Sequence, residues 1–449
     1  MVVDMFEELR AGLNGRLVTP DDPDWEQVRR GWNLSVDQQP AAVVEAAGPN
    51  DIEYVVRFAG LHGLQVAAQA AGHGPTPALD GTIVVRTAAL DDIWVDSQAR
   101  VARVGAGVSW GALQTALDGT GLTGLPGSSA NVSVVGYCMA GGFSWFSRPY
   151  GTGAGSLRAA ELVDATGERR WIDDAVEPEL MWALRGGGGN FGIVTSVEID
   201  LHPAPAIAGG RLMFPIEQAE AVLTAYGKAT QQAPDSVTLW AYLMHYPDLP
   251  VLPEPVRGKS FCMIDVVTPD APEALEGVLS SIRAAGTTVS DVIRPLQPSE
   301  VAEMNSVPTP PQALSLITST FEELTPDLIN TLLEYAGQPS LLFQVAIRHL
   351  RTGVEATHPG VAAADPVAPY VILAVSIVRS AERQPDAEAA LKAFQKAVTP
   401  WRAGAMPVTG LSAWDSLRDC YSELYLARLW EIKQRVDPLG TVTGNFPIP

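Results

Sequence analysis

Residues 101–113 read VARVGAGVSWGAL. A short run with Val101, Ala102 and Val104 on its apolar positions meets Gly105, Gly107 and Gly111 and then passes into an apolar stretch. Strand, glycine turn and helix are the natural reading. Two kinds of enzyme place glycines after a strand in this way. A dinucleotide fingerprint of the Rossmann type requires G-x-G-x-x-G, and here the third glycine arrives one residue late. A hydrolase nucleophile elbow requires G-x-S-x-G, which residues 107–111 supply with Ser109 as the nucleophile. That reading needs a later Asp and one of His202, His245, His349 or His358.

Glycine clusters flank this stretch at 70–74, 124–127, 136–142 and 186–192. Glycine lets a backbone approach a ligand closely because it has no Cβ. Four such clusters in one region favour a long polyanionic or planar ligand, a dinucleotide, held by backbone N–H groups. No G-x-x-x-x-G-K-[ST] occurs, so nothing supports a Walker-type nucleotidase. Residues 41–66 carry a strand, helix, strand pattern, and short strands are expected at 82–85, 93–95, 101–104 and 193–199. Proline marks a boundary at His202-Pro203-Ala204-Pro205. Beyond it, residues 237–245, 261–267, 314–321, 341–350 and 371–378 predict a larger sheet, with helices at 271–285, 326–336 and 386–398. One amphipathic helix is expected over 414–436, stopping at Asp437-Pro438.

The whole chain has 449 residues, 30 basic against 51 acidic side chains and a net charge of −21. That sign repels nucleic acid and anionic membrane surfaces. Three scattered cysteines fit a reducing compartment. The opening MVVDMFEELRAGLNG lacks the basic and apolar regions of a signal peptide, and no uncharged apolar run of about 18 residues occurs, so a cytoplasmic protein with no membrane span is expected. His73, between Gly72 and Gly74, has no second ligand at metal spacing, so no metal is expected there.

The stretches QAAGHG, VARVGAGVSWGAL, VVGYCMAGGFSWFSRPYG and MWALRGGGGNFGIVTSVEIDLHP resemble the berberine bridge enzyme-like branch of the vanillyl-alcohol oxidase flavoproteins, which also holds bacterial hydroxynicotine oxidases and natural-product tailoring oxidases. The resemblance is strong over about 40–205 and weaker over 411–449. It implies an α+β fold: an FAD-binding domain made of residues 1–205 and 411–449, with an inserted α+β substrate domain, 206–410, built on an antiparallel sheet. In such proteins GAGV-x-WG is a structural turn, which displaces the hydrolase. The resemblance implies FAD bound through Ala70, Ala71, Gly72, His73, Gly74, Gly127, Ser128, Ser129, Val132, Gly136, Gly141, Gly142, Gly192, Ile193, Val194 and Asn445. His73 matches the histidine that bonds the flavin 8-methyl group. Ser129 stands where many members carry a second linking cysteine, and Cys138 does not match that position, so a single link is implied.

Ser133, Ala140 and Ser144 replace glycines of the family pattern. Side-chain atoms there predict a narrower space for oxygen beside the ring. Tyr421, in YSELYLARLWEIKQRVDP, matches a tyrosine that helps remove the substrate proton. For the substrate, strand alternation puts Trp240 with Tyr242 and Gln344 with Arg348 on ligand-side faces. The expected activity is hydride transfer from a small organic molecule, an alcohol or alkaloid-like metabolite, to flavin, with oxygen as acceptor. Two alternatives stand beside it: a cyclase or isomerase that keeps FAD without net redox turnover, motivated by the three replaced glycines, and a serine hydrolase using Ser109.

Overall fold

A computed structural model describes residues 2–250, 252–305, 307–350, 368–378 and 381–449. Its architecture is α+β, with three main sheets. The first has four strands in the order Arg16–Val18, Ala42–Glu45, Ile83–Arg86, Val66–Ala68. Its last three strands run parallel, joined through the helix Pro49–His62. That helix opens with proline at its first turn and closes on Gly63 at φ 65°, the usual asymmetry of helix ends.

Five antiparallel strands form the second sheet, in the order Ile93–Asp96, Val101–Gly105, Ile193–Asp200, Leu157–Val163, Arg169–Asp173. The opening stretch of the sequence therefore supplies a central strand, and Ser109 caps the helix Trp110–Leu117 by accepting the Ala112 N–H at 3.2 Å. That cap satisfies one of the helix's orphan donors. It also overturns the hydrolase reading. His202 meets Ser156, His245 meets Ser260 and the Ala336 carbonyl, and His349 meets Arg148. His358 lies outside the described residues.

The third sheet has seven antiparallel strands, in the order Ser290–Pro295, Ala208–Pro215, Ser260–Thr268, Thr238–His245, Gln344–His349, Tyr370–Ile377, Leu314–Phe321. Alternation divides its residues cleanly. Leu239, Ala241, Leu243, Val345 and Ile347 pack with the helices Ala219–Gln232, Pro326–Ala336 and Gln384–Val398. Trp240, Tyr242, Phe261, Met263 and Ala346 point the other way and join a core shared with the glycine-rich segment.

The terminal helix corrects one expectation. It runs Glu423–Val436, with a separate turn at Leu417–Asp419, rather than continuously from 414. Ser416 accepts the Arg418 N–H while Asp419 accepts the Ser416 N–H, so the turn caps itself. Leu426, Leu429 and Ile432 form the buried stripe of the helix, each worth about 1.5–3 kcal/mol on full burial. After it, Thr441 and Thr443 pair with Val66: the Val66 N–H donates to the Thr441 carbonyl at 2.8 Å and the Thr443 N–H to the Val66 carbonyl at 2.9 Å.

Candidate active site

The loop bearing His73 leaves the strand Val66–Ala68 and is clamped by amide side chains. Arg86 donates to Gln69 at 2.6 Å, Gln69 to Gln38 at 2.9 Å, and Gln38 to the Thr76 carbonyl at 2.7 Å. A neighbouring segment crosses the loop, with the Trp32 N–H on the Ala71 carbonyl and the Asn33 N–H on the Gly72 carbonyl. Gly72 is required there. Its φ is 74°, and a Cβ would lie 2.6 Å from Gly31 Cα. The Trp32 indole stacks on the His73 ring, centroids 4.2 Å apart at 21°. His73 Nε2 is buried without a partner, and burial pushes the imidazole pKa down to about 4 against a backbone hydrogen bond at Asn131. His73 is therefore neutral at physiological pH and carries a free lone pair or proton inside the protein.

Asn131 leads to the second wall. Ser129 Oγ is buried with no partner, and Ser128 Oγ accepts from Arg348 Nη2 at 2.8 Å. The helix Val134–Met139 follows, with Gly136 opening onto free space. Ser133 was expected to crowd the ring. Its hydroxyl caps this helix, accepting from the Gly136 N–H at 3.4 Å and donating to the Ala106 carbonyl at 3.1 Å. Ser144 is fully buried and accepts the Phe146 N–H at 3.1 Å. Ala140 ends the helix. Both serine hydroxyls are thus committed to backbone.

Tyr137 was not singled out from sequence. Its ring fills the gap between Gly127 and Gly142: Cβ atoms there would lie 2.9 and 2.4 Å from it. Its hydroxyl is buried without a partner. Burial drives its pKa well above the ordinary phenol value, opposed by the Arg348 charge. Its place inside the glycine cluster at 136–142 was the available signal. Cys138, beside it, is buried with its thiol pushed up to about 12, so it is no thiolate.

The third wall is the open face of the seven-stranded sheet. Register places Trp240 opposite Arg348, Tyr242 opposite Ala346 and Met244 opposite Gln344, so Trp240, Tyr242, Gln344 and Arg348 share one face. Trp145, from the glycine-rich segment, stacks on Trp240 with centroids 3.5 Å apart. The Arg348 guanidinium lies 4.4 Å from the Trp240 ring centroid. Tyr242 donates to Asn305 Oδ1 at 3.1 Å, near the ion pair of Arg211 with the buried Asp265.

The remaining residues divide. Asn445 lies beside the His73 loop, its carbonyl accepting from Thr76 Oγ1 and its Oδ1 buried and unpartnered. Gly192 is dictated by the neighbouring strand, since a Cβ would meet Leu162 at 2.5 Å. Ile193 and Val194 are buried strand residues paired with Val163 and Leu162. Tyr421 is a correction. Its hydroxyl donates to the Gly186 carbonyl at 2.8 Å, and burial raises its pKa far above the ordinary phenol value. A phenol so held is a structural donor, not a proton acceptor.

Buried polar atoms without partners are rare in folded proteins. Here His73 Nε2, Ser129 Oγ, Tyr137 OH, Arg348 Nε and Asn445 Oδ1 are among the buried side-chain atoms left without one. In the same glycine-rich segments, Gly74, Gly136 and Gly141 present backbone to open space. Orphaned donors and acceptors beside bare backbone fit a large planar cofactor with a phosphate chain.

Comparison with known proteins agrees. Residues 40–173 match the family described as FAD binding domain. (R)-6-hydroxynicotine oxidase of Paenarthrobacter nicotinovorans is 29% identical over 299 residues, 66% of this chain and 63% of its own length. An FAD-dependent monooxygenase of Fusarium proliferatum is 35% identical over 212 residues, 46% and 41% of the two chains. These matches thus span less than two thirds of the relatives' own length. The solved structure of Physcomitrella patens BBE-like 1 superposes with a TM-score of 0.87 at 18% identity, over 99% of both chains. That of 6-hydroxy-D-nicotine oxidase from Arthrobacter nicotinovorans gives 0.83 at 21% identity, over 96% of this chain and 97% of the other. Residues 40–173 are therefore an FAD binding domain, in a chain related to hydroxynicotine oxidase and the FAD-linked oxidoreductases and folded as the berberine bridge enzyme-like proteins are.

Proposed function

We propose that this protein oxidises a small organic molecule with FAD tethered through His73 alone and oxygen as the final acceptor. One observation carries the reading: a neutral, buried His73 with an orphaned nitrogen, held by the Trp32 stack in a glycine-flanked loop. When bound, FAD supplies the hydride acceptor. The chain's own residues bind, orient and exclude water. Gly72 and the Gln69–Gln38 clamp fix the His73 ring, while Trp145 and Trp240 close the apolar wall. Tyr137 and Tyr242 are the phenols in the Arg348 field, which favours their ionised forms against burial. Tyr421 and Tyr242 both donate their proton to a protein acceptor, so the proton leaving the substrate is assigned to Tyr137, whose hydroxyl has no partner.

Residues 1–205 with 411–449 act as the cofactor domain and 206–410 as the substrate domain. We assign the protein to the cytoplasm, a reading supported by its three free cysteines; among the described residues no helix is long and apolar enough to cross a membrane. The non-redox alternative keeps its motive in the replacement of glycines by Ser133, Ala140 and Ser144.

The test is acid precipitation of the purified protein and of His73→Ala. Yellow colour held in the wild-type pellet and released from the variant is expected. Colour released from both would sink the tether. Anaerobic bleaching of the flavin by substrate then separates net oxidation from a non-redox use.

A further inference from the structure

Arg348 differs from three other inward arginines. Arg148, Arg185 and Arg211 each reach a carboxylate. Among the described residues no Asp or Glu pairs with Arg348. It is placed by the strand Gln344–His349, on the open face of the seven-stranded sheet. Nη2 donates to Ser128 Oγ, the guanidinium lies on the Trp240 ring, and Nε is buried with no acceptor. Its titratable neighbours are the phenols Tyr137 and Tyr242, and burial lowers its pKa.

A guanidinium does not shed its proton at physiological pH. Burying one without a counter-charge is unfavourable. Cation–π contact with Trp240 and one neutral hydroxyl acceptor offset only part of that cost. The remainder is met when an anion arrives with the ligand, and the fork geometry suits a carboxylate. The surroundings select the body of that ligand. Trp145 and Trp240 are stacked beside Arg348, and Met244 pairs with Phe261 on the same face.

We propose that Arg348 binds the carboxylate of the substrate, and that the substrate is therefore an organic acid with an apolar, aromatic body. This rests on the reading of the glycine-lined space as a flavin and substrate site. Arg348 lies in the sheet that faces the cofactor domain, outside the residues that match the FAD binding domain, so its charge is assigned to the substrate.

The test titrates the protein as purified with benzoate against benzamide, and with acetate against acetamide. Each pair has one shape and differs in charge. Binding is read twice, by the flavin visible spectrum and by the melting temperature. Benzoate is expected to bind at least 10-fold tighter than benzamide. Arg348→Met should remove that preference and leave benzamide unmoved, and Arg348→Lys should keep part of it. Equal binding within both pairs, measured on the unmutated protein, would overturn the proposal, whatever the variants do. So would an anion preference that survives in Arg348→Met, or a variant that changes only the flavin reduction potential. A colourless protein whose melting temperature still rises with benzoate would keep this proposal and sink the cofactor reading. A yellow protein indifferent to charge would do the reverse.

Discussion

At the scale of single residues, the same motif match gives unequal information. The match that singles out His73 agrees with its surroundings: a stacked indole, a clamped loop and an unpartnered nitrogen. Tyr421 rests on the weaker match, over 411–449, and its proton goes to the Gly186 carbonyl. Spacing along a helix fixes which turn a side chain occupies; it does not fix which carbonyl the neighbouring loop turns toward it. Tyr421→Phe should therefore cost about 1 kcal/mol of stability while turnover stays within about threefold. A loss of 100-fold in kcat with unchanged melting would restore it as the base. Ser133 and Ser144 show the same dependence, since the serines expected to crowd a ligand also cap a helix and a turn.

At the scale of elements, alternation made two half-faces legible: Trp240 with Tyr242, and Gln344 with Arg348. That these are halves of one face depends on register, Trp240 against Arg348, which is set between strands about a hundred residues apart and leaves no local mark. The edge strand Ser290–Pro295 escaped sequence reading because it is mostly exposed and lacks an apolar face. The terminal helix was legible in kind but not in length, because a self-capped turn imitates a helical start. Its far end is anchored by Lys433, whose ammonium donates to Asp437, to the Asn190 carbonyl at 2.8 Å and to the Val442 carbonyl at 2.6 Å. Lys433→Met leaves the buried Asp437 carboxylate without its cation. The expected loss is about 3–5 kcal/mol, read by urea denaturation; a loss under about 1 kcal/mol would show that the anchor is dispensable.

At the scale of the whole molecule, the fold class was legible because glycine clusters and strand spacing survive divergence, whereas the match to relatives holds for only part of the chain. Two buried histidines give the assembly a pH response. His73 and His202 are both pushed down to about 4 by burial. The unfolded chain takes up protons below about pH 6.5 and the folded one only near pH 4. Their stabilisation is thus complete above 6.5 and drains as the pH falls toward 4, on the order of 3 kcal/mol each at most. His202→Gln should flatten the fall in melting temperature between pH 6.5 and 4.5; an unchanged slope would rule out its share.

The pairing of Thr441 and Thr443 with Val66, and of Asn445 with Thr76, joins residues at least 369 apart in the chain. During synthesis the His73 loop leaves the ribosome long before its partner segment exists. Through most of translation that loop lacks one side of its enclosure, so lasting flavin capture is a late event, timed by the arrival of residues 441–445. A nascent chain stalled before them would stay colourless however well its first sheet had folded.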